Sequence, residues 1–574
     1  MTKLGPVLRL AAVAALGVFL SNCANLQHIY KPVRNAPLTA DAPPGDPSCT
    51  ERAATPRYDL DHIKDCTSQQ TFVVFAFSGG GIRSASFGYG ALKAAHAMQV
   101  PNDEGALRPL DSEIDVISGV SGGSYTAAAY ASKRDALFPA PGAPDYYRDN
   151  FLTHDFFADL FAIYLEPWHW QWMLPNYGTN DEMAKIYGEV NFSSDSDKLF
   201  ARSFGDLARK GRPLLIVQAT DYGNEQPFTF TQDDFDLICS DVDDYPVSNA
   251  IAASSAFPLL FSPIRLKNRH FTANKADLQG YCHSHRLPWV DAALDAGEPE
   301  ELSRRYSRAE VADAYLPSSP AHKGRGANPY SRGSGAGPQQ GPPKYLYLAD
   351  GGIADNMALR GLMNTVTMSL GSDPGSSGWT ERSAAIACRV HLDQMRRLLV
   401  VVVDGEARPN NEVSTLSSLS DLGIILNSAT SAAIDANGFE TMLAAENMTR
   451  RIAAKMAKLH CGTPPAAGAA PQADTEVKHY FAHVSFHDLS EATALDPAAC
   501  GKSEGDCMMS DVARSGTSLD FSGPEVDALV KAGSSAFFCN RSVLAFLRDS
   551  KAVGTTEPIY ACAKAGEKKL PPPP

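Results

Sequence analysis

The sequence predicts an α/β fold, a three-layer α/β/α arrangement with a mostly parallel central sheet and a helical C-terminal extension. Three observations carry this. Short, wholly apolar runs such as Phe72–Phe77 and Leu398–Val403 have the pattern of strands buried on both faces. These runs alternate with helix-period segments, as parallel strands with crossover helices require. Three chemistry-bearing segments, Gly79–Gly81, Ser121 and Asp350, each stand just past the end of a predicted strand, the edge where such sheets gather their sites.

Taken in order, residues 1–22 read as a signal peptide. A basic leader (Met1 to Arg9) precedes the apolar run Leu10–Leu20, which is too short to span a bilayer. Leu20-Ser21-Asn22-Cys23 resembles a bacterial lipoprotein box with Cys23 as the lipidated residue, although Asn22 departs from the Gly, Ala or Ser usual there. Ala24 is not the aspartate that commonly retains such proteins at the inner membrane, so the expectation is an envelope protein anchored in the outer membrane. Residues 23–70, rich in Pro, Asp and Ala, read as a lipidated tether.

The main domain is expected over 71–410. Strands are predicted at Phe72–Phe77, Ile114–Ser118, Leu214–Ala219, Tyr345–Leu348 and Leu398–Val403. Helices are predicted at Ala85–Met98, Gly122–Lys133, Val247–Ser255 and Met357–Met368. An insertion, 267–343, ends in the low-complexity stretch 317–343. Region 411–574 reads as mainly helical and packed on the main domain, with helical periodicity over Ser414–Leu459, a strand at His479–Phe486, and helices at Pro524–Lys531 and Arg541–Leu547.

Bulk properties narrow the function. A net charge of −14 argues against nucleic acid and against electrostatic attachment to anionic lipid. Eleven cysteines, less Cys23, leave an even number, which fits disulfides in an oxidising compartment. Cys500 with Cys507, and Cys49 with Cys66, are the expected pairs. No cysteine and histidine share zinc-ligand spacing, so neither a metal nor another cofactor is expected.

The pentapeptide Gly119-Val120-Ser121-Gly122-Gly123 lies between a predicted strand and an Ala-rich helix, the setting of a nucleophile elbow. Its glycines stand where the turn is too tight for side chains. Gly122 offers an amide at a helix N-terminus, beside any developing anion. Gly79-Gly80-Gly81 lacks the Gly-Lys-Ser/Thr of a P-loop and reads better as an oxyanion hole than as a phosphate cradle. Arg83 either orients this loop, contacts anionic head groups or pairs at the helix start. Asp350-Gly351-Gly352 ends a strand, and its two glycines let the chain turn away and leave the carboxylate free.

These segments, with Ala253-Ser254-Ser255-Ala256-Phe257-Pro258, resemble in order the four motifs of patatin-like phospholipases: G-G-G-x-R, G-x-S-x-G, A-S-S-A-x-P and D-G-G/A. The likeness covers about residues 71–360 and continues weakly near Val400–Gly405; Ala358 stands where many relatives have proline. The resemblance implies a Ser121–Asp350 dyad, with Gly79, Gly80, Gly81 and Arg83 shaping an oxyanion hole and an acyl lipid as substrate. A histidine base stays open on chain order alone, since His391, His460, His479, His483 and His487 all follow Asp350. Lysophospholipids, thioesters and soluble esters remain alternative substrates, and an inactive envelope scaffold or a nucleotide-binding glycine loop are alternatives of another class. The aromatics Phe157, Phe161, Tyr164, Trp168, Trp170 and Trp172 read as buried core or as a lipid-facing entrance. The acidic run Asp233–Asp236 with Asp241, Asp243 and Asp244 reads as a solvated hairpin, without the spacing of a calcium loop.

Overall fold

The computed structural model describes residues 33–37, 58–60, 68–166, 177–211, 213–258, 260–269, 344–370, 386–388, 390–406, 422–461, 476–491, 493–495, 520–554 and 557–563, with 311, 315, 508, 509 and 513. The signal peptide, Cys23, the pairs Cys49–Cys66 and Cys500–Cys507, the three tryptophans at 168–172 and the stretch 317–343 lie outside these residues.

The first half of the sheet and its helices are β1 (Thr71–Phe77), α1 (Gly81–Ala97), β2 (Ile114–Val120), α2 (Gly122–Lys133), α3 (Phe156–Leu165), α4 (Thr179–Glu189), β3 (Leu214–Asp221) and β4 (Gln226–Thr229). Then come α5 (Val247–Ser254), β5 (Ile264–Lys267), β6 (Tyr345–Ala349), α6 (Gly352–Asp355), α7 (Arg360–Leu370) and β7 (Arg397–Asp404). The C-terminal part supplies α8 (Leu422–Met456), β8 (Lys478–Ser485), α9 (Gly523–Cys539) and α10 (Arg541–Asp549). One eight-stranded sheet runs β5-β6-β3-β2-β1-β7-β8, with β4 paired to β3. Strands β3, β2, β1, β7 and β8 pair in parallel, as the apolar runs predict. The pairings of β6 with β3, β5 with β6 and β4 with β3 are antiparallel. Helices cover both faces, so the fold is the expected three-layer one with a mostly parallel centre.

Strand β1 shows why both faces must be apolar. Phe75 is fully buried and stacks on Phe537 of α9 at 6.4 Å between ring centroids. Phe72 and Val74 join Val116, Leu398 and Val400 beneath Leu362 and Met363 of α7 and Met448 and Ile452 of α8. Burying one such phenylalanine contributes about 1.5–3 kcal/mol, so opposing layers on a single strand stabilise it strongly. Helix α9 lies against α1 at backbone contact: a Cβ on Gly533 would stand 1.8 Å from the Phe87 carbonyl oxygen, and one on Gly90 2.0 Å from that of Val530. The C-terminal region is therefore built into the main core and adds the edge strand β8.

Three expectations change. The tether is not detached along its length: Ala36–Pro37 pairs with Ser240–Asp241, and the Tyr58 hydroxyl donates to the Leu215 carbonyl from a buried position. The helix expected from Met357 begins only at Arg360, because Ala358 takes φ 56 and the Asp355 carboxylate caps the Arg360 amide. The acidic run is a short helix, Gln232–Asp236, with Asp234 buried and accepting from the Thr229 amide and hydroxyl. Disulfides also join Cys388 to Cys461 and Cys539 to Cys562, pairs the sequence did not suggest, while the two pairs it did suggest lie outside the described residues. Among the described residues no helix is long and apolar enough to cross a membrane.

Candidate active site

Strand β2 ends at Val120 and helix α2 starts at Gly122, leaving Ser121 alone in the turn with φ 49 and ψ −126. A non-glycine residue in this region is strained, and such strain persists only where the surroundings impose it. Here they do. A Cβ on Gly119 would stand 2.7 Å from the Gly123 carbonyl oxygen, and one on Gly123 2.4 Å from that of Phe77. The Ser121 amide donates to the Ser254 hydroxyl at 2.8 Å, which itself donates to the Gln218 carbonyl at 2.5 Å.

Register brings the carboxylate to the same level. Val120 lies opposite Gln218 on one side of β3, and Ala349 opposite Thr220 on the other. Because β6 is antiparallel to β3, Asp350 reaches the cleft by running back along the sheet edge. Its amide donates to the Ala256 carbonyl and that of Gly351 to the Ser254 carbonyl, each at 3.0 Å, while the Thr220 hydroxyl donates to the Asp350 carbonyl at 2.7 Å. Thus the Ala253–Pro258 block holds both segments. The Ser121 hydroxyl donates to Asp350 Oδ2 at 3.0 Å, and the Gly352 amide to Oδ1 at 2.8 Å. Burial pushes the Asp350 carboxyl up to about 6, against the opposing pull of the Gly352 and Ser121 bonds. The group is a carboxylate at neutral pH yet close enough to 7 to exchange a proton with a hydroxyl.

The glycine loop closes the cleft. Gly80 and Gly81 have φ 134 and 63, and a Cβ on Gly122 would stand 2.0 Å from the Gly81 carbonyl oxygen. The N-termini of α1 and α2 therefore meet at Gly81 and Gly122. First-turn amides have no intrahelical acceptor, and both helix dipoles present their positive ends there. One sequence expectation needs correction, and among the roles left open for Arg83 the geometry favours orienting the loop. The Gly79 amide donates to the Asn356 carbonyl at 2.9 Å and is spent on holding the loop. Arg83 is 1 % exposed, with its Nε donating to the Gly405 carbonyl at 2.9 Å; it lies beneath the loop and does not reach head groups. Burial draws its guanidinium down to about 10, still a cation at neutral pH.

With this geometry in view, the chain matches the patatin-like phospholipase family over residues 75–300, a span holding the glycine loop, Ser121 and the Ala253–Pro258 block. The chain carries a patatin-like phospholipase domain. Asp350 lies beyond the matched span. Among solved structures, human GIVD cytosolic phospholipase A2 is similar at 13% identity and a TM-score of 0.36, covering 84% of this chain; the chain spans 60% of that one. No curated protein matches the sequence.

Around this patatin-like site, sequence reasoning missed two side chains. Ser254 joins Ser121 to Gly351, its hydroxyl accepting from the Ser121 amide and its carbonyl from that of Gly351, and only the small-residue block Ala-Ser-Ser-Ala hinted at it. The Asn356 carbonyl holds Gly79, and its side chain lies where a Cβ on Gly79 would need to be, 2.2 Å from Oδ1. The histidines stand elsewhere. His391 precedes β7 and His479 and His483 sit on β8, on the far side of β1 from β3. His483 Nε2 bonds Asp404 Oδ2 at 2.9 Å. Among the described residues no group of three or more His, Cys, Asp or Glu is placed to hold a metal ion.

Proposed function

We propose that the protein is a serine acyl-ester hydrolase that releases fatty acid from phospholipid or a related acyl lipid through a Ser121–Asp350 dyad. The observation that carries this is the 3.0 Å bond from a hydroxyl on a strained elbow to a buried carboxylate. Asp350 takes the Ser121 proton as the oxygen attacks the ester carbonyl, forming a tetrahedral oxyanion. The amides of Gly122, Gly81 and Gly80 face this charge, each such donor contributing roughly 3 kcal/mol to the transition state. Collapse expels the alcohol, which leaves with the proton from Asp350. Water then gives Asp350 a proton, attacks the acyl-enzyme and frees the acid as Ser121 regains its hydrogen.

Exposed apolar side chains support a lipid substrate. Phe157, Phe161 and Leu165 of α3 are open to solvent, and Tyr164 reaches across to the Leu260 carbonyl at 2.9 Å, next to the block that holds Asp350. Ile353, three residues past Asp350, is also exposed. The disulfides, with Cys239 also bonded, support an oxidising compartment and so export by the N-terminal signal, while lipidation at Cys23 and an envelope location rest on the residues around that cysteine. The decisive test is Ser121→Ala: fatty-acid release from labelled phospholipid vesicles and labelling by a fluorophosphonate should both vanish with the fold intact by circular dichroism. Undiminished release would end the reading, and a wild-type serine inert to the fluorophosphonate would favour a binding scaffold.

A further inference from the structure

We propose that His483 is a positioning residue for the glycine loop, holding Asp404 so that the turn at 404–406 keeps the loop amides aimed at the site. This rests on the reading of that loop as the oxyanion-binding element.

The loop has a support on the side away from Ser121. Strand β7 pairs with β1 in parallel, so its end, Asp404, emerges beside Ser78. Three hydrogen bonds knit the two segments. The Ser78 amide donates to the Val403 carbonyl at 3.0 Å, the Gly405 amide to the Ser78 hydroxyl at 3.0 Å, and Arg83 Nε to the Gly405 carbonyl at 2.9 Å. The contact is direct: a Cβ on Gly405 would stand 2.7 Å from the Ser84 Cα, and one on Gly80 3.4 Å from the Gly405 carbonyl oxygen. A shift of this turn moves the Arg83 anchor and the backbone of Gly80 and Gly81 with it.

What holds the turn is the Asp404 side chain. Oδ1 accepts from the Glu406 amide at 3.0 Å, and Oδ2 meets His483 Nε2 at 2.9 Å. His483 stands on β8, opposite Val402, and its carbonyl accepts from the Asn540 side chain at the α9–α10 junction at 2.7 Å. Beside the β7–β8 pairing and the packing of α9 on α1, the C-terminal region thus reaches the catalytic loop through an imidazole–carboxylate contact. A buried carboxylate that loses its partner retains the full desolvation penalty, so removing the ring favours rearrangement of the turn.

The groups facing this pair are Arg83 from α1, Glu406 from the turn, and Asp488 from the segment after β8. Burial draws the His483 imidazolium down, but Asp404 and then Asp488 outweigh it and hold its proton above the ordinary imidazole range of 6.5. Burial likewise raises Asp404, and His483 more than reverses that, so the carboxyl stays ionised. The positioning contact is therefore an ion pair while His483 holds its proton, and it weakens as rising pH removes that proton.

The experiment compares wild type, His483→Ala and His483→Gln by kcat, KM and pH profile on a soluble fluorogenic ester, with thermal melting in parallel. Misplaced catalytic groups lower rates steeply, so His483→Ala should lose about tenfold to a hundredfold in kcat with KM little changed. His483→Gln, which keeps a donor for Asp404 and does not titrate, should recover most of that loss. It should also lack the alkaline decline of the wild-type profile. A His483→Ala enzyme that melts lower but keeps the wild-type kcat and pH profile overturns the proposal, while a dead Ser121→Ala control leaves the hydrolase reading standing. A wild-type enzyme with no hydrolysis sinks both.

Discussion

Replacing Asp350 by Asn should make the protein more stable and almost inactive. The carboxyl is 6 % exposed, and burial moves its proton affinity from 3.8 to about 6. A folded-state value above the unfolded one means that the folded protein binds more protons between those two pH values. Stability therefore falls as pH rises through that window and then levels off. A shift of about 2 units corresponds to about 3 kcal/mol at 1.36 kcal/mol per unit, which is a ceiling for this site. Asn keeps the shape, can accept from the Gly352 amide and can donate to Ser121, without a buried charge. The stability difference between Asp350→Asn and wild type should be near zero at pH 4 and grow towards that ceiling above pH 6. Urea titrations at pH 4, 6 and 8 measure it, and ester hydrolysis at pH 8 should fall about 10²–10⁴-fold, the usual contribution of a general base. A variant less stable than wild type at pH 8, or a gain that does not change with pH, would refute the argument that Asp350 is held ionised at the expense of folding energy.

Other outcomes follow from the same geometry. Wild-type kcat/KM should rise with pH through about 6 as the Asp350 base ionises, and a flat profile from pH 5 to 7 would contradict its role. Ser254→Ala leaves the Ser121 amide without its acceptor. It should destabilise by about 1–3 kcal/mol in thermal unfolding and lower kcat more than it raises KM. Opening the Cys388–Cys461 disulfide by Cys388→Ser releases a loop of 73 residues, and the chain-entropy relation gives about 4 kcal/mol lost in denaturant titration. Replacing Phe157 and Phe161 together by Ser should weaken hydrolysis of phospholipid vesicles while a short soluble ester is turned over as before; equal losses on both would argue against a lipid-facing role.

The legible parts of this molecule were local. Strand β1 could be read from Phe72–Phe77 because a strand buried on two faces must be apolar throughout, and the elbow because no side chain fits at Gly119 or Gly123. The direction of β6 was not legible, since the run Tyr345–Leu348 looks the same whichever way its neighbour runs. Arg83 illustrates a further limit. A cation after three glycines suggests an anion-binding group, and only the packing of Gly405 against Ser84 shows it buried beneath the loop. The disulfides escaped for a similar reason, because Cys388 and Cys461 are remote in sequence and nothing local marks them as partners.

The sequence by itself determined the order of elements and the identity of the reactive groups. Both follow from short-range rules: burial dictates composition, and tight turns demand glycine. Only the tertiary structure decided which groups meet. Ser121 touches Asp350 because two strands flank β3 at one level, and Ser254, Asn356 and His483 acquire meaning only from neighbours dozens to hundreds of residues away. Contacts of that separation depend on sheet register and chain direction, which no local pattern encodes.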